Sequence, residues 1–411
     1  MFYDNYGIEE MLTDGYGVSR MKVVVSMDSF KGSVSSLEAG DAVRRGILSA
    51  FPADKVRVFP LADGGEGTVD ALTAGSLGSS VPVTVTGPLG TPIPSRYGWL
   101  ADKGTAVIEM ADAAGLTLVP EAQRNPLDTT TYGLGELIAA AYGHGARHFL
   151  IGIGGSATND CGLGMLAALG VCFGGISGVP FGRDLARVRS IDAHALARYA
   201  DCTFDIACDV KNPLCGETGC SHIFSPQKGA SPAVCEQMDQ DIAAFAHLAG
   251  KAMPEAEDAM RLPGAGAAGG LGFAFHTFLH GSLTPGAPLV LRYTGIEADL
   301  PDADVLITGE GCLDAQTAMG KAPAVLAARA KQKNPACLTI ALGGACQRGA
   351  DAVNAHGIDA YFPILPGPMR EAEAMGAAMT KENLARTSAQ ILRLLHPRME
   401  RLKFHRKSLD G

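Results

Sequence analysis

The sequence predicts an α/β protein of two domains: a Rossmann-like parallel-sheet domain with a second α/β domain of mixed sheet inserted in it. Three observations predict it. Short β-branched runs followed by a glycine-rich turn and a helical pattern recur at Val23 to Met27, Phe149 to Ile153, Asp304 to Thr308 and Leu338 to Leu342, the rhythm of parallel strands joined by crossover helices. Between Val81 and Met110 the rhythm changes. Runs at Val83 to Thr86, Ser95 to Leu100 and Ala106 to Met110 are separated by turns too short for a crossover, so these strands run antiparallel in a second sheet. The third observation is size: 411 residues, 47% of them apolar, supply cores for two or three domains of roughly 150 residues each.

In chain order, residues 1–20 lack apolar periodicity and read as an N-terminal extension, with Met21 standing immediately before the first strand. Residues 21–80 and 295–395 form the parallel domain, because strands at 304–308, 337–342 and 360–364 return to the βα rhythm of the opening segment. Its first unit is the plainest: Ser35 and Glu38 make a capping box, and Val43, Ile47 and Ala50 share a helical face before Pro52. Residues 81–294 are the inserted domain. From 396 to 411 the chain ends in a basic tail carrying Arg398, Arg401, Lys403, Arg406 and Lys407, read as solvated rather than as a binding element.

Composition excludes several functions. With 34 Lys and Arg against 43 Asp and Glu, the chain carries a formal charge of −9, the wrong sign for gripping a nucleic-acid backbone. Apolar runs fall short of the ~18 residues of a membrane-spanning helix, and the N-terminus lacks signal-peptide character. The expectation is a soluble cytoplasmic protein with small-molecule partners, no nucleic acid and no membrane. Ten cysteines without a C-x-x-C pair read as reduced thiols, and His276 with His280 lacks a third metal ligand.

Five segments concentrate small residues with acids and lysines. Asp28-Ser29-Phe30-Lys31-Gly32-Ser33 follows the first strand, at the carboxyl end of a parallel sheet where ligands bind. Lys31 is placed there for an anion, or is a surface lysine on a turn. Asp63-Gly64-Gly65-Glu66-Gly67 offers two carboxylates three residues apart. Asp63 and Glu66 suit Mg²⁺, or they complement a helix dipole. Gly154-Gly155-Ser156-Ala157-Thr158-Asn159 runs from a strand into a helix, where bare amides and hydroxyls make a phosphate site; a plain tight turn with a capping Thr158 or Asn159 is the alternative. Asp209, in Cys208-Asp209-Val210-Lys211-Asn212-Pro213, can take a proton from a substrate hydroxyl or form an Asx turn before Pro213. Glu310, Asp314 and Lys321 follow the strand at 304–308, and Pro323 opens the next helix; carboxylates and a lysine there fit metal-bound phosphates. Gly264, Gly266 and Gly269 match the dinucleotide fingerprint by letter but follow no strand, leaving a moving segment or close helix packing. Both Gly-Lys pairs are followed by alanine, so a Walker loop is absent.

Read together and in order, DSFKGS, PLADGGEGT, GIGGSATND, CDVKNPLCG, SPQKGA, GAGAAGGLGF and TGEGCLDAQTAMGKAP closely resemble the type I glycerate kinases, over about residues 21–395. The resemblance implies transfer of the ATP γ-phosphoryl group to D-glycerate with Mg²⁺ on a two-domain fold unlike the Walker kinases, and it leans towards 2-phosphoglycerate over 3-phosphoglycerate. The expected roles are Lys31, Asp63 and Asp209 in catalysis, Asp63 and Glu66 at Mg²⁺, and Gly154, Gly155, Ser156, Thr158, Asn159, Glu310, Asp314 and Lys321 at the nucleotide. Lys321 and Lys228 stand in reserve for Lys31. Where the family usually has GEGRLD this chain has Cys312, and where it has NDGG this chain has Cys161. The competing readings are a kinase for another small hydroxy acid and a catalytically silent nucleotide- or glycerate-binding protein. Homodimer and monomer remain equally open.

Overall fold

The computed structural model describes residues 20–74 and 78–409, with the backbone alone at 371 and 398–409. The expected extension at 1–20 therefore lies almost wholly outside the described residues. Among the described residues thirteen strands follow one another: β1 (Lys22–Met27), β2 (Lys55–Pro60), β3 (Gly78–Thr86), β4 (Pro92–Leu100), β5 (Thr105–Glu109), β6 (His148–Gly152), β7 (Cys172–Gly174), β8 (Ser190–Asp192), β9 (Thr203–Ala207), β10 (Ser282–Thr284), β11 (Val305–Leu313), β12 (Leu338–Cys346) and β13 (Ala360–Pro363). They form two large sheets and one small one.

The first sheet has the order β13-β12-β11-β1-β2 and is parallel throughout. Val23, Val25, Val305, Ile307, Ile340 and Leu342 fill one of its cores, covered by the helix Ser36–Ala50. That helix begins with the capping box read from the sequence: Ser35 Oγ accepts from the Glu38 N–H, and the Glu38 carboxylate accepts from the Ser35 N–H at 3.0 Å. The second sheet has the order β10-β9-β6-β5-β4-β3. From β10 to β5 it is parallel, while β3 and β4 join antiparallel. The first sheet thus draws its strands from 22–60 and 305–363, the second from 78–284. The third sheet is the antiparallel pair of β7 and β8.

Two strands outrun their sequence signals. The β-branched runs end at Thr308 and Leu342, yet β11 continues to Leu313 and β12 to Cys346, with Glu310 opposite Gly343 and Cys312 opposite Ala345. Gly343 and Gly344 allow this extension. A Cβ on Gly344 would stand 2.4 Å from the Gly311 carbonyl oxygen, so the two glycine-bearing segments meet backbone to backbone. Glu310 and Cys312 consequently project from a strand rather than from a turn.

The tail also differs from expectation. A helix runs from Ala377 to Leu409 with Pro397 inside it, and His396 is buried, with Nε2 2.9 Å from Asp54 and its ring stacked on Phe51. Residue 396 belongs to the packed body. No helix among the described residues is long and apolar enough to cross a membrane. The ten cysteines form no disulfide, and five of them are buried.

Candidate active site

The carboxyl ends of both sheets face one another across a glycine-lined joint. A Cβ on Gly152, at the end of β6, would stand 1.9 Å from the Gly64 carbonyl oxygen, and one on Gly64 would stand 2.3 Å from the Ala207 Cβ. Gly286, just beyond β10, would meet the Asp63 carbonyl oxygen at 1.7 Å. Side chains larger than hydrogen are excluded at these points. The loop after β2, the loop after β6 and the end of β9 are thereby drawn into direct contact.

A cavity of about 350 Å³ opens beside this joint, with Asp63, Gly154, Gly155, Ser156, Asp209 and Lys228 on its wall. Residues 165 positions apart in sequence, Asp63 and Lys228, therefore share one space. Asp63 Oδ1 accepts from the Gly65 N–H at 2.9 Å. Asp209 keeps an exposed side, its Oδ1 accepts from the Gly286 N–H at 2.9 Å, and partial desolvation raises its carboxyl above the ordinary aspartate value, with a smaller upward push from Asp63. Gly155 has φ +75, a conformation glycine adopts without strain, so the loop presents backbone rather than side chains. Leu116, whose N–H donates to the Gly155 carbonyl at 2.8 Å, adds apolar lining together with Val210 and Phe224.

A second cleft of about 450 Å³ lies across the 63–67 loop, bounded by Ser29, Lys31, Ser33, Glu66, Arg96 and Glu109. Lys31 is exposed and has no ion-pair partner among the described residues. Arg96 is held by Asp70 at 2.5 Å and Asp112 at 3.4 Å. Glu109 is buried and accepts from the Gly67 and Val69 N–H groups at 3.2 and 2.7 Å, and burial lifts its carboxyl to about 7.

The third group of sequence-derived residues stands apart from both cavities. Lys321 Nζ lies 3.4 Å from Glu310 and 3.5 Å from Asp314, and Thr317 Oγ1 donates to Glu310 at 2.7 Å. Asp28 links this group to the first. Its carboxyl rises to about 7, chiefly through burial, then through the negative charge of Asp63, with a further contribution from Glu310. Asp28 is therefore close enough to feel the charges of both Asp63 and Glu310.

Two expectations are corrected by this geometry, and an open alternative is decided. Thr158 and Asn159 are completely buried behind the cavity wall rather than on it: Asn159 Nδ2 donates to Ser221 Oγ at 2.9 Å, and Thr158 Oγ1 and Asn159 Oδ1 have no hydrogen-bond partner. The reason is the packing of Gly269, where a Cβ would stand 2.2 Å from the Thr158 carbonyl oxygen. The segment from Gly264 to Gly269 is thus a close-packed support in this structure. Finally, Glu66 is exposed and borders the second cleft while Asp63 borders the first, so the pair does not converge on one point. Among the described residues no three His, Cys, Asp or Glu side chains group as a metal site.

Asp28 and Glu109 escaped sequence reasoning. Asp28 sat in a noted segment, but its importance comes from two partners 35 and 282 positions away. Glu109 reads as an ordinary position within the run Ala106 to Met110.

A two-sheet α/β fold with a glycine-walled cleft, converging acids and a buried lysine defines a protein that handles small anionic ligands without a Walker loop. Comparison with known proteins narrows the class: residues 23–396 match the model of the glycerate kinase family, and the chain belongs to that family of kinases. It is 45% identical over 379 residues to the glycerate kinase of Bacillus subtilis strain 168, covering 91% of this chain and 98% of that protein. The Escherichia coli K12 glycerate 2-kinase is 42% identical over 90% of this chain and 97% of its own length. The crystal structure of a glycerate kinase 2, described as putative, from Salmonella typhimurium LT2 superposes with a TM-score of 0.84 at 40% identity, covering 93% of this chain and all of that one.

Proposed function

We propose that this protein phosphorylates D-glycerate on O2 at the expense of ATP, with Mg²⁺, to give 2-phosphoglycerate and ADP. The observation that carries the reading is the shared cavity: Asp63, the bare 154–156 loop and Asp209 line one space of nucleotide-binding size. The triphosphate lies along Gly154, Gly155 and Ser156, whose backbone amides stabilise the transferring charge. The apolar lining of Leu116, Val210 and Phe224 takes the nucleoside.

Asp209 accepts the proton of the attacking hydroxyl. That oxygen forms its bond to the γ-phosphorus as the bond from phosphorus to the β–γ bridging oxygen breaks, and ADP departs with the electron pair. A carboxylate raised by partial desolvation is the stronger base, and the Gly286 N–H fixes the oxygen that is not used. Lys31, free in the second cleft, meets the glycerate carboxylate or the transferring group, and Lys321 with Glu310 and Asp314 organises the far end of the acid array.

The residues present fit a divalent cation. Asp28 is driven to about 7 by burial and by the charges of Asp63 and Glu310, a crowding of acids that a cation relieves. Mg²⁺ takes only one or two carboxylates and completes its shell with water and phosphate oxygens, so Asp28 and Asp63 suffice in place of the Asp63 and Glu66 pair. When bound, the ion neutralises charge on the phosphates.

An assay of ADP release with D-glycerate, glycolate, lactate and tartrate tests the reading. Turnover with glycerate above the other three supports it. Preference for another acid establishes a different hydroxy-acid kinase, and absence of turnover with nucleotide bound establishes a silent binder.

A further inference from the structure

The wall of the first cavity holds a group that the transfer step leaves unused. Lys228 closes the turn Pro226–Lys228 and is 1% exposed, so its ammonium has left water. Among the described residues no carboxylate stands within ion-pair distance. Its two acceptors are neutral oxygens, Ser156 Oγ at 2.8 Å and the Thr158 carbonyl at 2.6 Å. An ammonium carries three N–H donors, which leaves one without a protein acceptor. Asp160, the acid whose charge reaches it, uses its own oxygens on Thr131, Gly162 and Gly164. A buried cation left in this state is costly, and Lys228 borders the cavity together with Ser156.

We infer that Lys228 is the buried cation of a polyphosphate cradle, giving its remaining N–H and its charge to an anion over Gly154 and Gly155 and orienting Ser156 as a further donor. The orientation follows from the hydrogen bond itself. Ser156 Oγ accepts from the ammonium through one lone pair, which leaves its own proton free to donate to an anion in the cavity. The ligand class is a di- or triphosphate rather than a carboxylate, because the donors form a row along a bare backbone instead of a single fork. The inference rests on the first cavity being the triphosphate site.

Burial pulls the free Lys228 ammonium down to about 8. Two titratable groups face it: Asp160 from the loop behind, and the Cys220 thiol of the helix Cys220–Phe224, which burial pushes to about 12 and so keeps neutral. Arg124 packs against Gly229 beside the turn through its carbonyl and Cβ. A bound anion favours the protonated lysine, so affinity should fall as the pH rises above about 8.

The test is titration calorimetry of the full chain with sodium tripolyphosphate and with ATP from pH 7 to 9.5, on wild type, K228M and S156A, alongside thermal unfolding and the KM for glycerate. K228M should lose about 10-fold or more in tripolyphosphate affinity, the scale of a hydrogen bond to a charged group, and should lose the fall above pH 8. Its unfolding temperature should stay level or rise, because removing an unpaired buried charge is neutral or stabilising, and its glycerate KM should move less than about 3-fold. S156A should lose less than K228M. Wild-type affinity and pH dependence in K228M overturn the inference, as does a loss shared equally with glycerate and accompanied by a lower unfolding temperature. If K228M does not fold, S156A decides, and wild-type tripolyphosphate affinity in it overturns the inference. The two readings fail separately: wild type that binds tripolyphosphate as described but does not phosphorylate glycerate sinks the proposed function alone, and active wild type with a fully binding K228M sinks this inference alone.

Discussion

Gly286 sits against Asp63 so closely that a Cβ on it would lie 1.7 Å from the Asp63 carbonyl oxygen, while its N–H holds the Asp209 carboxylate. One glycine thus sets the spacing of two acids from different sheets. G286A should push the 63–65 loop away and release Asp209. Turnover is expected to fall at least ~10²-fold, since misplacement by about an ångström costs that much, with a stability loss of about 1–3 kcal/mol from overpacking. Steady-state kinetics with thermal unfolding check both.

The roles of the acids and of Lys31 are separable by kinetics. D63A and K31A should each cut kcat at least ~10²-fold. D209N should cut it about 10² to 10⁴-fold, the range for a lost general base, while the KM for ATP stays near wild type. Near-normal kcat in D63A or K31A would remove those residues from the mechanism.

Cys312 projects from the same strand as Glu310, two residues on, beside Lys321 and Asp314. The thiol lacks the fork of donors that an arginine brings to phosphate. C312R is expected to lower the KM for ATP several-fold, on the scale of about 1 kcal/mol for one added charged contact, with little change in the KM for glycerate. Initial-rate measurements with each substrate varied decide this.

Stability at low pH should report the junction of the first helix with the last. Lys381 Nζ stands 2.6 Å from Glu38, whose carboxyl is held down to about 2 by that contact and by the Ser35 N–H. A carboxylate depressed on folding stabilises the protein above its ordinary value, near 4.5, and the stabilisation disappears as the pH falls towards 2. Glu38 is half exposed, so solvent screening limits the effect to about 1 kcal/mol or less. E38Q should therefore unfold at a lower temperature than wild type at pH 7, with the gap closing between pH 4.5 and pH 2.

The parallel rhythm, the antiparallel insert and the capping box were legible because each is written in neighbouring residues: β-branched runs, short turns, Ser35 with Glu38. What escaped depends on distant partners. The extension of β11 through Glu310 needs the glycines of β12 opposite it, the burial of Thr158 and Asn159 needs Gly269, and the raised carboxyl of Asp28 comes chiefly from burial in the folded chain, with Asp63 and Glu310 adding to it. Lys228 shows the same limit. Its motif stood out, but its burial and missing counter-ion exist only in three dimensions.

Phosphorus NMR of the products formed from ATP, Mg²⁺ and D-glycerate tests the central claim most directly. The account predicts ADP and one phosphomonoester in equal amounts, the ester coupled to the C2 proton of glycerate. Inorganic phosphate in place of the ester, or an unchanged ATP spectrum, would contradict it.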